Sequence, residues 1–125
     1  MLKNSRNKEN YIEKVNRVIE KVKKQGFTDI RADVGNYERP PRLISKSREV
    51  DFIPDVVARK NGFKGYFEIS KKEKDTNSLV NKWSALSMLA NMKNGIFRIY
   101  VPHGHMKFTR QLLTAYDIKA EVIKL

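Results

Sequence analysis

Residues 51–70, "DFIPDVVARKNGFKGYFEIS", decide how the chain folds. Two apolar runs flank Asn61-Gly62, a dipeptide that accepts positive φ at both positions and so favours a two-residue type I′ hairpin turn. With those two residues at the turn centre, Lys60 faces Phe63, Arg59 faces Lys64, Ala58 faces Gly65, Val57 faces Tyr66 and Val56 faces Phe67. The same count sets Asp55 opposite Glu68. Opposed side chains have Cβ atoms about 4.5–5.5 Å apart, where like charges destabilise the pair. Burial deepens that penalty unless one acid is protonated or a cation lies between them. Two carboxylates, a backbone carbonyl and waters form an oxygen donor set suited to Mg²⁺ or Mn²⁺. The alternative is a turn of another length, which shifts the register and leaves the acids to solvent or to nearby lysines.

Outward from the hairpin, residues 5–25 have Ile12, Val15, Ile19 and Val22 at helical spacing, with Gly26 as a stop. "FTDIRADVG" (27–35) alternates as a strand, and the proline- and charge-rich "NYERPPRLISKSRE" (36–49) reads as a loop or distorted edge connection. The hairpin strands fall near 50–59 and 63–71. "KKEKDTNSL" ends in helix-capping residues, and Leu79, Val80, Trp83, Leu86, Leu89 and Ala90 predict a second amphipathic helix from Ser78 to about Asn94. "IFRIYVP" predicts a central strand, residues 106–115 a short helix, and "IKAEVIKL" a final alternating strand. The expected order is α-β-β-β-α-β-α-β, an α/β domain over residues 1–125 with a mixed sheet flanked by helices.

The composition bears on partners. Lys and Arg number 26 against 14 acids, a formal net charge of +12. A small domain this basic attracts polyanions, because each neutralised phosphate releases condensed counterions. Cysteine is absent, so disulfides and thiolate metal sites are excluded, a pattern compatible with a reducing cytoplasm. The basic N-terminal "MLKNSRNKEN" lacks the apolar stretch of a signal peptide, and no run reaches the length of a membrane span. A cytoplasmic protein that does not enter a membrane is expected. A compact chain rich in lysine and asparagine suits a phage or mobile element acting in a host cytoplasm.

"IPDVVARKNGFKGYFEIS" resembles the central hairpin of the PD-(D/E)XK nuclease superfamily, whose fold is restriction-endonuclease-like. The family pattern is Pro-Asp on one strand, a short turn, then an acid within an apolar run on the next strand. Pro54-Asp55 and Glu68 match it, and the family's order of elements matches the order read above. The resemblance implies metal-dependent phosphodiester cleavage, with Asp55, Glu68 and the backbone carbonyl of Ile69 holding Mg²⁺ or Mn²⁺. A family lysine normally stands two residues after the acid, and that position is Ser70. Lys72, on the Glu68 face one step further, and Lys82, on the following helix, are the candidates to replace it; each has a solvated alternative.

Relatives often add an acid from the first helix. Glu9, Glu13 and Glu20 fall more than about 90° from its apolar face at about 100° per residue, so they read as solvated, with Glu20 a weak candidate. Asp51 is a better third acid, two steps from Asp55 on the same strand face. Tyr37, Arg39, Arg42, Lys46 and Arg48, an aromatic among basic residues, suit contact with a nucleic-acid backbone, as does Lys71; a flexible basic loop is the alternative. His103 and His105 in "PHGH" fit an exposed turn. The expected activity is a metal-dependent DNA endonuclease acting on double-stranded or branched DNA. A structure-selective enzyme of the Holliday-junction resolvase kind, often dimeric, is one form of it, so a homodimer is a candidate assembly. Two alternatives stand: a catalytically degenerate nuclease-fold DNA-binding protein in replication, packaging or regulation, and an RNA-binding protein whose acids are incidental.

Overall fold

A computed structural model describes residues 2–45 and 50–125, with side chains described for 10–44 and 51–125. The elements run α1 (Leu2–Lys24), β1 (Thr28–Ala32), β2 (Leu43–Ser45), β3 (Val50–Phe52), β4 (Val56–Lys60), β5 (Phe63–Ile69), α2 (Thr76–Met92), β6 (Ile96–Val101), α3 (Met106–Ala115) and β7 (Glu121–Lys124). The main sheet is mixed, in the order β1-β4-β5-β6-β7. β1, β4 and β5 are antiparallel, while β5, β6 and β7 are parallel, joined through α2 and α3. Among the described residues no helix is long and apolar enough to cross a membrane.

The hairpin has the register expected of its turn. Asn61 and Gly62 both take positive φ, 50° and 85°. Lys60 pairs with Phe63 and the ladder continues without slip to Val56 and Phe67. Alternation then sends Val56, Ala58, Phe67 and Ile69 to one face of the sheet and Val57 and Tyr66 to the other. α1 covers the first face with Val15, Val18, Ile19 and Val22, an i, i+3, i+4, i+7 set. Leu79, Val80, Trp83, Leu86 and Ala90 of α2 cover the second, joined by Met106, Phe108, Leu112 and Leu113 of α3. The core is therefore two apolar layers on either side of one sheet. Asp75 caps α2, its side chain accepting from the Ser78 N–H at 3.1 Å.

Two expectations about strands need correction. The run 50–59 is not one strand: it breaks at 53–55, where Pro54 can donate no ladder hydrogen bond. Its first part, β3, pairs with β2 from the proline-rich connection to make a separate two-stranded sheet, so that connection is not merely a loop. β6 is also not the middle strand; it lies between β5 and β7, and β5 is central.

Candidate active-site cleft

β4 begins just after Asp55 and β5 ends just after Glu68, so both acids stand at one end of the hairpin. The regular ladder stops at Val56 and Phe67. Beyond it the two acids do not simply oppose each other; each carboxylate reaches the other strand's backbone. The Asp55 N–H donates to Glu68 Oε2 at 2.9 Å, and the Ile69 N–H donates to Asp55 Oδ2 at 2.8 Å. Pro54 before and the strand end after leave these two amides without ladder partners, and the carboxylates take that role.

Each acid has one further partner from a helix. The Tyr11 hydroxyl of α1 donates to Asp55 Oδ1 at 2.7 Å. Lys82 Nζ of α2 lies 3.0 Å from Glu68 Oε1. Tyr11 sits one turn before Val15 on the apolar face, which delivers its ring to the core edge and its hydroxyl to the sheet end. Together these groups line a cleft of about 530 Å³ with Asn10, Lys14, Lys71 and Glu73 at its walls.

Glu68 is only 2% exposed. Burial, and then the charge of Asp55, push its carboxyl up to about 8, against the opposing pull of Lys82. Burial alone would lower the Lys82 ammonium, but the Glu68 and Asp55 charges outweigh it and the net displacement is upward. The Tyr11 phenol is also raised, by burial and then by the Asp55 charge, so it stays a hydrogen-bond donor. The cleft thus sets two carboxyls and the Lys82 ammonium side by side, with Glu68 keeping its proton to a higher pH than a free carboxyl does.

Ser70 occupies the position where the family lysine is expected. It is completely buried, and its hydroxyl shares a 2.5 Å hydrogen bond with that of Thr109 in α3. Thr109 in turn donates to the His105 carbonyl at 2.8 Å. The site contributes a structural tie between β5 and α3 rather than a cation. Of the two replacements, Lys82 meets Glu68. Lys72 is exposed, is not among the residues lining the cleft, and uses its backbone N–H to donate to His105 Nδ1 at 3.2 Å.

The additional acids are not at the site. Asp51 belongs to β3 and pairs with Arg42 at 3.3 Å, because the break at Pro54 separates it from Asp55. Glu20 lies on the exposed side of α1, in a shallow groove with Glu13 and Arg17. Lys71 lines the cleft and pairs with Glu73 at 3.6 Å. Arg39 lies 3.2 Å from Asp33, an exposed pair that is not among the residues lining the cleft. Lys46 and Arg48 lie outside the described residues. His103 is exposed in the turn before α3, as expected, but His105 is partly buried at the α3 N-terminus. Its imidazole is lowered by burial, then by the charges of Lys72 and Lys14. Sequence reasoning missed Tyr11, Asn10 and Lys14; the signal available was an aromatic with a polar tip one turn before the buried run of α1.

No protein-family model matches the chain, and no curated protein or solved structure is significantly similar to it.

Among the described residues no group of three or more His, Asp or Glu side chains is placed to hold a metal. The donor set at the cleft is smaller. A Mg²⁺ held by one or two carboxylates, with the rest of its shell from water and substrate phosphate, needs no third protein acid. A divalent cation there would displace the proton that burial and the Asp55 charge keep on Glu68, at a carboxyl that already faces the Lys82 ammonium at 3.0 Å.

Proposed function

We propose that this chain is a metal-dependent DNA endonuclease with a restriction-endonuclease-like core. The observation that carries the reading is the convergence of Asp55, Glu68 and Lys82 on one cleft, in a chain of net charge +12. The order of elements supports the fold: without the small β2–β3 sheet, the main-sheet strands and helices run α-β-β-β-α-β-α-β.

Asp55, Glu68 and the Ile69 carbonyl would hold Mg²⁺ or Mn²⁺. Such an ion polarises a scissile phosphate and lowers the pKa of bound water. The chain's own residues do the remaining work. Tyr11 and the Ile69 amide fix the two oxygens of Asp55, so the carboxylate is oriented before any ligand arrives. Lys82 supplies a cation able to pair with phosphate as well as with Glu68. Lys14, Lys71 and Asn10 present donors around the mouth for flanking phosphates. A structure-selective activity on branched DNA is the form we favour.

A second reading rests on Ser70. Its burial against Thr109 removes the usual lysine, which favours a nuclease-fold protein that binds DNA without cutting it. Incubation with supercoiled plasmid, single-stranded and four-way-junction DNA in Mg²⁺, Mn²⁺ or EDTA separates the two. Metal-dependent cleavage of at least one substrate, lost in Asp55→Asn, is expected. Binding with no cleavage of any substrate in either metal would establish the second reading instead.

A further inference from the structure

β1 holds an irregularity that redirects one side chain. Thr28 pairs with Arg59, but Arg31 pairs with Val57, so three steps on β1 match two on β4. The extra residue is a β-bulge, and Asp29 within it takes a left-handed φ of 51°. Without the bulge, Arg31 would stand opposite Val56, on the face packed by α1. The one-residue slip exchanges the faces. Ala32 instead meets Val56 and is buried in the α1 core, while Arg31 turns to the other face.

On that face Arg31 joins Arg59 and Lys64 around a small concavity that also includes Asp29 and Pro41. Arg59 and Lys64 are direct cross-strand partners, an arrangement that like charges disfavour. Lys93, just after α2, adds a fourth cation near enough to act on Lys64. Burial, then the charges of Arg59, Lys93 and Arg31, lower the Lys64 ammonium. The facing acids are Asp29, 3.5 Å from Arg59, and Glu38, 3.8 Å from Arg31; both pairs are long and exposed, so they hold the cations weakly.

We propose that the face carrying Arg31, Arg59, Lys64 and Lys93 is a second contact surface for the sugar-phosphate backbone of duplex DNA, completed by the bulge at Asp29. The charge that is unfavourable within the sheet is complementary to a duplex, which carries about one negative charge per 1.7 Å of its axis. Lys64 and Glu68 lie on the same side of β5, four residues or roughly 13 Å apart. Tyr66 between them is buried under α2, so this face is a contact surface separate from the cleft. The inference rests on the nucleic-acid part of the proposed function and not on cleavage.

The test is duplex-DNA binding in EDTA, followed by fluorescence anisotropy across a salt series. It compares wild type with the triple variant Arg31→Gln, Arg59→Gln, Lys64→Gln. The charge-matched control is Arg110→Gln, Lys119→Gln, Lys124→Gln, which are exposed on α3 and near the opposite sheet edge. Each lost phosphate contact removes about 0.9 from the log K against log salt slope, so the slope of the first triple falls by roughly 2–3. The control slope stays at the wild-type value. Lys64→Gln alone, which relieves repulsion and keeps the fold, lowers the slope by about 1. Equal slopes for the two triple variants overturn the face, even where wild type cleaves. Wild type that binds without cleaving, with the slope lost only in the first triple, removes the cleavage reading and leaves the face standing. Wild type that does not bind DNA overturns both.

Discussion

The buried carboxyl of Glu68 makes the stability of the metal-free protein depend on pH in a way that Glu68→Gln should abolish. In the folded state this group titrates near 8, against 4.5 for the free side chain, because burial and the Asp55 charge both disfavour its ionised form. Between those two values the native state holds a proton that the unfolded chain has released. Stability from this group is therefore complete below the unfolded value and is lost as pH rises through the folded one. At about 1.36 kcal/mol per pH unit, a displacement of this kind is worth several kcal/mol across that window. Glutamine keeps an acceptor for the Asp55 amide and carries no charge at any pH, so its curve lacks this loss. The lowered imidazole of His105 acts in the opposite direction, being lost as pH falls, but it is common to both proteins and cancels in their difference. Thermal melts of both proteins in EDTA, from about pH 5 to about pH 8.5, should show the advantage of Glu68→Gln growing steadily, on the order of 10 °C in total. Mg²⁺ should raise the wild-type melting temperature more at the alkaline end than at the acid end. A difference between the proteins that does not change with pH would show that Glu68 titrates normally and would refute the reasoning.

Three further substitutions follow from the same contacts. Tyr11→Phe leaves Asp55 Oδ1 without its hydroxyl donor; the expected cost is about 1.5–3 kcal/mol in urea unfolding, and a cost below about 0.5 kcal/mol would show that solvent replaces the bond. Ser70→Lys restores the residue type of the family motif but places an ammonium where Ser70 is completely buried against Thr109. It should destabilise by about 3 kcal/mol or more without raising cleavage, and a stable, faster enzyme would contradict the structural role given to Ser70. Lys82→Met removes the cation beside Glu68; tighter Mn²⁺ binding combined with cleavage slowed by about 10²-fold is expected, whereas unchanged cleavage would remove Lys82 from the site.

How far the sequence could be read depended on which interactions set each feature. The register of β4 and β5 was legible because Asn61-Gly62 fixes its turn locally, and the ladder from Lys60–Phe63 to Val56–Phe67 follows from it. The helices were legible from their apolar periodicity, since α1 and α2 each bury one face against the sheet. Asp51 was misplaced because its face was extrapolated through Pro54 as though the strand were regular. Glu20 has the charge of a site acid, although the α1 side chain that reaches Asp55 is the uncharged Tyr11, whose role depends on tertiary contact. The choice between Lys72 and Lys82 was equally out of reach, because the packing of α2 on the sheet, not spacing along β5, brings Lys82 to Glu68. The bulge in β1 was hidden too. The alternation of 27–35 suggests a regular strand, and only pairing with β4 reveals that Arg31 changes face.

The central question for this protein is whether Asp55 and Glu68 hold a divalent cation. Mn²⁺ binding followed by electron paramagnetic resonance, for wild type, Asp55→Asn and Glu68→Gln at a pH above about 8 where Glu68 is ionised, measures this without reference to activity. Asparagine at position 55 retains an oxygen able to accept from Tyr11 or from the Ile69 amide, which keeps the fold comparable. Wild type should bind Mn²⁺, and each substitution should weaken that binding by at least about tenfold, a difference of about 1.4 kcal/mol. Equal Mn²⁺ binding by all three proteins, or none by wild type, would contradict a cation site at Asp55 and Glu68.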